Sequence, residues 1–385
     1  MKVKAFSVLA FFMRFLNLAA VTSMPIVLRA LGLGYFGIGE SVSLIWLGSG
    51  IGTLLSMIRP LGLRAASAIG FALSSICFLL VLFFPPIAFM PVLGFALSLV
   101  ELPALEAAGE GGETGLWVYY SSLSVGTLLS SAVMPFLMLE GARMTLVALS
   151  SISAVSAALS AAAGKKDVSR SRLSAAQLLA FSRRFLPLFV LGLAVYLQLS
   201  FVYSFEGPLL LDMGFPEWLA QACFFVLFLS SAIIRLARPT RLLSLDLLAV
   251  LSLASFLIIT QWSWAGLSVL LLSDAGMGAA NGLLSVAFAQ RVLESSPRDF
   301  PNLNVLVGSS SGISSFLGPL LGGWMIGLAG WQVASVAYGV ISGTLVLIWA
   351  FWGRQVEREL ASGNAVNLRG RERVAGRVFE QGSVE

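Results

Sequence analysis

The sequence predicts an all-α membrane protein of 12 transmembrane helices, arranged as two pseudo-symmetric six-helix bundles with N- and C-termini cytoplasmic. Three observations predict it. Of 385 residues, 58% are hydrophobic and 11% charged, with a mean hydropathy of +0.91, whereas a soluble domain is about 25% charged. The apolar residues fall into twelve runs, each near the roughly 20 residues a helix needs to cross a bilayer. Lysine and arginine collect on alternate connections between the runs, as the positive-inside rule requires. Soluble enzymes, nucleic-acid binders and disordered chains are excluded, because none can hold so much apolar surface away from water. The runs are continuous rather than alternating, which excludes a β-barrel.

The first span, 5–28, follows Lys2 and Lys4. Arg14 interrupts it and Met24-Pro25-Ile26-Val27-Leu28 extends it, so it reads as a span rather than a cleaved leader. Spans two and three, 37–58 and 65–84, flank the turn Arg59-Pro60-Leu61-Gly62-Leu63-Arg64. Pro85-Pro86 divides span three from span four, 87–108; spans five and six cover 116–138 and 142–163. The polar stretch 164–183 is basic and reads as a solvated linker, with a short interfacial helix over Leu173–Phe181 as the alternative. Span seven, 184–206, ends before Gly207-Pro208. Spans eight to ten cover 217–236, 240–260 and 264–289, and Gly330 alone separates span eleven, 302–328, from span twelve, 331–352. With the amino terminus inside, every lysine and arginine but Arg14, Arg29 and Arg143 falls on the cytoplasmic side. The expected organisation is a first bundle over 1–163, the linker, a second bundle over 184–353 and a polar cytoplasmic tail over 354–385.

Landmarks recur between the halves. Arg59-Pro60 after span two matches Arg238-Pro239 after span eight; Gly94 to Pro135 matches Gly276 to Pro319; Gly141 to Lys165 matches Gly330 to Arg354. Their order and near-constant offset predict a duplicated six-helix unit, with both copies oriented alike.

With Leu31-Gly32-Leu33 and Gly37-Ile38-Gly39 after span one, the Arg59–Arg64 turn, and Gly318-Pro319-Leu320-Leu321-Gly322-Gly323 in span eleven, the chain resembles the major facilitator superfamily. The resemblance implies two bundles that rock about a central cavity lined mainly by spans one, four, seven and ten. The turn departs from the family's pattern, since Arg59 stands where the motif has its aspartate if Gly62 is aligned to its second glycine. Glu106 or Glu110 could pair with Arg59 as a charge latch at the cytoplasmic gate, with Arg64 beside it. The glycine-proline motif of drug–proton antiporters is absent from span five, where Gly126-Thr127-Leu128-Leu129 and Pro135 are a faint echo.

Charges at bilayer depth cost at least about 2.5–3.5 kcal/mol each, so they face a cavity or a partner. Four stand out, one on each expected cavity-lining helix: Arg14, Glu101, Glu206 and Asp274. Arg14 and Glu101 share a half and a depth, and pair either as a fixed structural contact or as an anchor for a polar or charged substrate. Asp274 has no cation near it in sequence; desolvation favours its neutral form, making it either the proton-coupling group or a hydrogen-bonded packing contact. Glu206, at the end of span seven, reads as a gate residue, and Asp246 with Arg238 as a cytoplasmic charge cluster. Asn17, Tyr119, Tyr120, Tyr196, Gln198, Tyr203 and Asn281 complete the expected polar lining, with Asn281 two turns from Asp274 on one face.

The sequence has no histidine, and Cys77 and Cys223 both lie in apolar stretches. No metal site, disulfide framework or cofactor is expected. Without a phosphate-binding loop, ATP drive within the chain is not expected either. The leading function is secondary transport, in the cell membrane and as a monomer, of a small amphipathic or apolar molecule by proton-coupled efflux. Proton-coupled uptake of a sugar or other organic solute, a transport-inactive membrane sensor and a membrane-embedded enzyme are the alternatives. An intramembrane aspartyl protease would need two facing aspartates, and Asp274 is the one aspartate well inside a span.

Overall fold

The computed structural model describes residues 3–58, 61–109, 112–161, 175–237, 245–261, 266–295 and 300–381. Among them every regular element is helical, the arrangement by which a spanning segment satisfies its own backbone in lipid. Helix α1 (Val3–Leu18) passes through a five-residue π-helical stretch, Ala19–Ser23, into α2 (Met24–Ala30). Then follow α3 (Tyr35–Ile58), α4 (Leu63–Leu80), α5 (Met90–Gly109), α6 (Gly112–Leu139) and α7 (Ala142–Ala161). After the linker come α8 (Ala175–Asp212), α9 (Glu217–Ala237), α10 (Leu245–Gln261), α11 (Leu267–Ser295) and α12 (Phe300–Gln381).

Among the described residues, nine segments are long and apolar enough to cross a membrane, and Met90–Leu105 and Leu247–Thr260 are shorter apolar helices. The last of the nine, Ser310–Gly353, bends at Gly330, whose φ of 81° and ψ of 168° only a glycine adopts easily. Two arms therefore stand where the sequence predicts two spans. The chain is a multi-pass membrane protein.

Span seven differs from its expected limits of 184 and 206. Helix α8 is continuous from Ala175 to Asp212, with Pro187 and Pro208 inside it. Proline interrupts a helix less in a membrane bundle, where neighbouring helices and polar side chains take up the freed backbone groups. The reading of Gly207-Pro208 as a terminus is thereby corrected, and Glu206 lies within the helix.

Packing falls into two groups. In the first, α1 packs on α5 and α6, α3 on α5, and α4 on α5 and α7; in the second, α8 packs on α12, α9 on α11, and α10 on α11 and α12. Phe71 and Phe78 fill the first core; Phe201, Phe205, Phe224, Phe256 and Tyr338 fill the second, all fully buried. Phe83, Phe136, Leu328 and Phe351 stand exposed, as side chains facing lipid would.

Among the described residues the main contacts between the groups are α3 with α12, α6 with α9, and α2 with α8. Between α3 and α12 the backbones nearly touch. A Cβ on Gly39 would collide with the Pro319 carbonyl, and Gly323 meets Gly39 from the opposite side. Close by, Ser43 Oγ donates to the Phe316 carbonyl at 2.8 Å.

Candidate functional site

The second group holds a buried pair of acids. Glu206 on α8 and Asp274 on α11 are 1% and 0% exposed, and all four carboxyl oxygens lack a hydrogen-bond donor among the described residues. Cys223 of α9 joins them: the two carboxyl groups and the thiol each offer an atom within 4.8 Å of the others. Two full negative charges at that separation repel by about 3–4 kcal/mol at an effective dielectric of about 20. Desolvation adds to that penalty. A proton held between the two acids removes the repulsion and supplies the missing donor. A structural zinc site has four donors, whereas three converge here among the described residues. The three side chains lie six or seven residues from helix ends at Asp212, Glu217 and Leu267, about 10 Å deep from one end of the bundle.

The first group holds separated opposite charges. Arg14 is half-buried on α1, and Glu101, in the middle of α5, is exposed although Val100 and Ala104 beside it are fully buried. Glu101 therefore faces open space inside the bundle, within electrostatic reach of the Arg14 guanidinium. The expected direct contact is not made. Instead Arg14 Nε donates to Thr127 Oγ1 at 3.1 Å. Helix α6 is built to receive α1 at this point. Gly126 leaves room for the Phe11 carbonyl and the Arg14 side chain, and Ser130 Oγ donates to the Phe15 carbonyl at 3.0 Å. Tyr119, buried, and Tyr120, 39% exposed, stack edge to face at 5.4 Å, and Tyr119 lies in the field of both charges.

A third feature closes one end of the bundle. Arg29 Nη2 meets Asp212 Oδ1 at 2.7 Å, and Arg29 Nη1 donates to the Leu33 carbonyl at 3.0 Å. The Tyr35 hydroxyl donates to Asp212 Oδ2 at 2.7 Å while the Arg29 guanidinium lies 5.2 Å from its ring centre. Deeper along the same seam, Gln221 Nε2 donates to Thr22 Oγ1 at 3.3 Å. Ile26 packs where a side chain on Gly207 would stand. Apart from the contacts of Arg29 with Leu33 and the Tyr35 ring, each joins the first packing group to the second.

The other expected site residues are placed as follows. Asn17 is half-buried. Gln198 is fully buried, and its Oε1 accepts from Ser252 at 2.8 Å, so it faces α10 rather than an open cavity. Asn281 is buried two turns from Asp274 on α11. Tyr203 packs its ring against Phe224 and Phe228. Arg64 is exposed at the start of α4. Arg59 and Arg238, and the side chains of Glu106 and Asp246, lie outside the described residues. Sequence reasoning missed Asp212, Thr127, Gln221 and Cys223. Asp212 carried a signal, since it is the one acid in the connection after span seven as Arg29 is the one base in the connection after span one.

No family model matches the chain, and no curated protein does. Solved structures do. The nucleoside transporter NupG is similar over 91% of this chain and 98% of its own, with 15% identity and a TM-score of 0.72. The chain shares the fold of this transporter. A POT family transporter in complex with 5-aminolevulinic acid has this fold too, at 14% identity over 92% of this chain and 96% of that one, with a TM-score of 0.69. So does a bacterial homolog of the human lysosomal transporter Spinster, in an inward-facing and occupied conformation, at 11% identity, 92% and 96% coverage and a TM-score of 0.62. All three of these proteins are transporters.

Proposed function

We propose that the chain is a proton-coupled secondary transporter of a small amphipathic organic molecule, working by alternating access. The facing acids Glu206 and Asp274 carry this reading. A carboxyl pair that must hold a proton when dry, and can release one when wetted, is a proton carrier in a bundle that opens to alternate sides. The moving bodies are the bundles over 1–163 and 184–353, in a twelve-span arrangement with both termini cytoplasmic. In that orientation Arg29 and Asp212 close the outer face, and the site opens inward.

The fold supports a transporter rather than a membrane-embedded enzyme. Export is the proposed direction, because apolar and aromatic side chains greatly outnumber polar ones along the cavity helices and sugar recognition calls for more hydrogen-bonding groups. The POT neighbour is in complex with 5-aminolevulinic acid, a molecule with one amine and one carboxylate, which supports a small organic solute of that kind. The site of action is the cell membrane, and the transporting unit is the monomer.

The test uses proteoliposomes carrying a compound chosen by thermal stabilisation in detergent, since a binder raises apparent stability by mass action. An imposed pH gradient should drive its flux, with the sign of the flux giving direction. Asp274→Asn should abolish that drive. Flux that ignores the gradient, or a gradient response that survives Asp274→Asn, would sink the proposal.

A further inference from the structure

Arg14 and Glu101 present an unusual combination: opposite charges at bilayer depth, in each other's field, that do not close on each other. Inserting either charge is expensive, and the least expensive arrangement is a closed pair. Here the closed pair is prevented from the arginine side. Thr127 engages Nε, and the α1–α6 contact through Gly126 and Ser130 fixes where the guanidinium sits. No other hydrogen bond reaches Arg14 from a described residue, so its outer nitrogens are free. Glu101 has no hydrogen-bond donor among the described residues and is exposed to the interior space.

We propose that Arg14 and Glu101 form a bipolar recognition site for a zwitterionic amphipathic molecule, whose carboxylate sits on the free edge of Arg14 and whose ammonium sits on Glu101. This rests on the transport reading above and names its substrate class. The chemistry selects among ligands. A cation would satisfy Glu101 and face Arg14 with a like charge; an anion would do the reverse. A neutral amide could bridge both groups, but charge-assisted hydrogen bonds are roughly twice as strong as neutral ones, and a carboxylate matches guanidinium geometry in two parallel bonds. A zwitterion also leaves the net charge of the site unchanged, so loading it adds no net charge to the interior of the bilayer. The apolar part of the ligand has aromatic surface beside it. Tyr120 is exposed, and Phe11, one turn before Arg14, is half-buried and stacks on Phe12 at 5.1 Å.

The experiment uses the purified full chain in detergent and a probe panel of apolar amino acids whose ammonium and carboxylate are separated by one to five carbons. Each is compared with its methyl ester (cation), its N-acetyl form (anion) and its N-acetyl amide (neutral), by thermal stabilisation. At least one zwitterion should bind about tenfold or more tightly than all three of its blocked forms. Arg14→Gln should remove the preference over the methyl ester, and Glu101→Gln the preference over the N-acetyl form. If either variant fails to fold, Arg14→Lys, which keeps the charge but not the two parallel bonds, should weaken the zwitterion and leave the methyl ester unchanged. Absence of binding by every zwitterion, or equal binding by a neutral amide, would overturn the proposal. The transport reading is tested separately: a flat charge preference with proton-driven flux intact sinks this inference alone, and lost proton drive with the charge preference intact sinks only that reading.

Discussion

Glu206 illustrates how one side chain changes meaning with its surroundings. Taken as the last residue of a span it is a gate; inside α8 and against Asp274 it is half of a buried acid pair, the one proposed to hold a proton. Glu206→Gln should therefore abolish accumulation driven by a pH gradient while preserving exchange at equal pH, because the amide can still donate to Asp274. Flux assays under the two conditions check this. Glu206→Leu removes the bridging group and leaves a buried acid without a partner, which destabilises by about 1–3 kcal/mol and lowers the melting temperature where Glu206→Gln does not. Asp274 was legible in the sequence because an acid deep in an apolar run has few innocent explanations. Its partner was not, because nothing in one sequence reports that α8 and α11 approach each other. Cys223 was invisible for the same reason, being an ordinary small apolar residue until two acids surround it.

At the scale of elements, the apolar runs gave the existence of the helices reliably and their ends poorly. A window of bilayer length stopped span seven at Gly207-Pro208, yet α8 runs on to Asp212 and thereby delivers that acid to Arg29. Gly330 was read correctly as a break, and its backbone angles say why: positive φ with extended ψ is a region essentially reserved for glycine. Gly330→Ala should lower stability by about 1–3 kcal/mol. Gly327→Ala, in an ordinary helical position with open space around it, should not. Thermal unfolding of the two variants in detergent provides the comparison. The pair Gly39 and Gly323 was legible only as small residues; that they meet across α3 and α12 is a matter of tertiary packing.

At the scale of the whole molecule, the two packing groups meet through a seam of polar contacts running from Arg29–Asp212 down to Thr22–Gln221. The Arg29 and Asp212 side chains are 28% and 33% exposed, so the pair is worth no more than about 1 kcal/mol, or about a fivefold shift in population. A weak clasp suits a surface that parts repeatedly, as the proposed alternating access requires. Asp212→Asn should favour the state open at that end, and an impermeant maleimide should then label Cys223 faster. Cys77, buried in the other packing group, should stay protected in both proteins. Unchanged labelling of Cys223 would argue that the seam is not the gate. The seam, built from residues far apart in sequence, was not legible there.

The π-helical stretch at Ala19–Ser23 has a geometrical result of its own. A turn of that kind inserts one residue into the helix, which slips the phase of everything beyond it by about 100°. Before the slip, α1 presents Arg14 to Thr127 within its own packing group; after it, α2 presents Ile26 and Arg29 to α8 in the other. One transmembrane segment thus keeps two appointments that a uniform helical wheel could not. Removing a single alanine from Ala19-Ala20 would restore the regular wheel, and would swing Arg29 away from Asp212 without altering either residue.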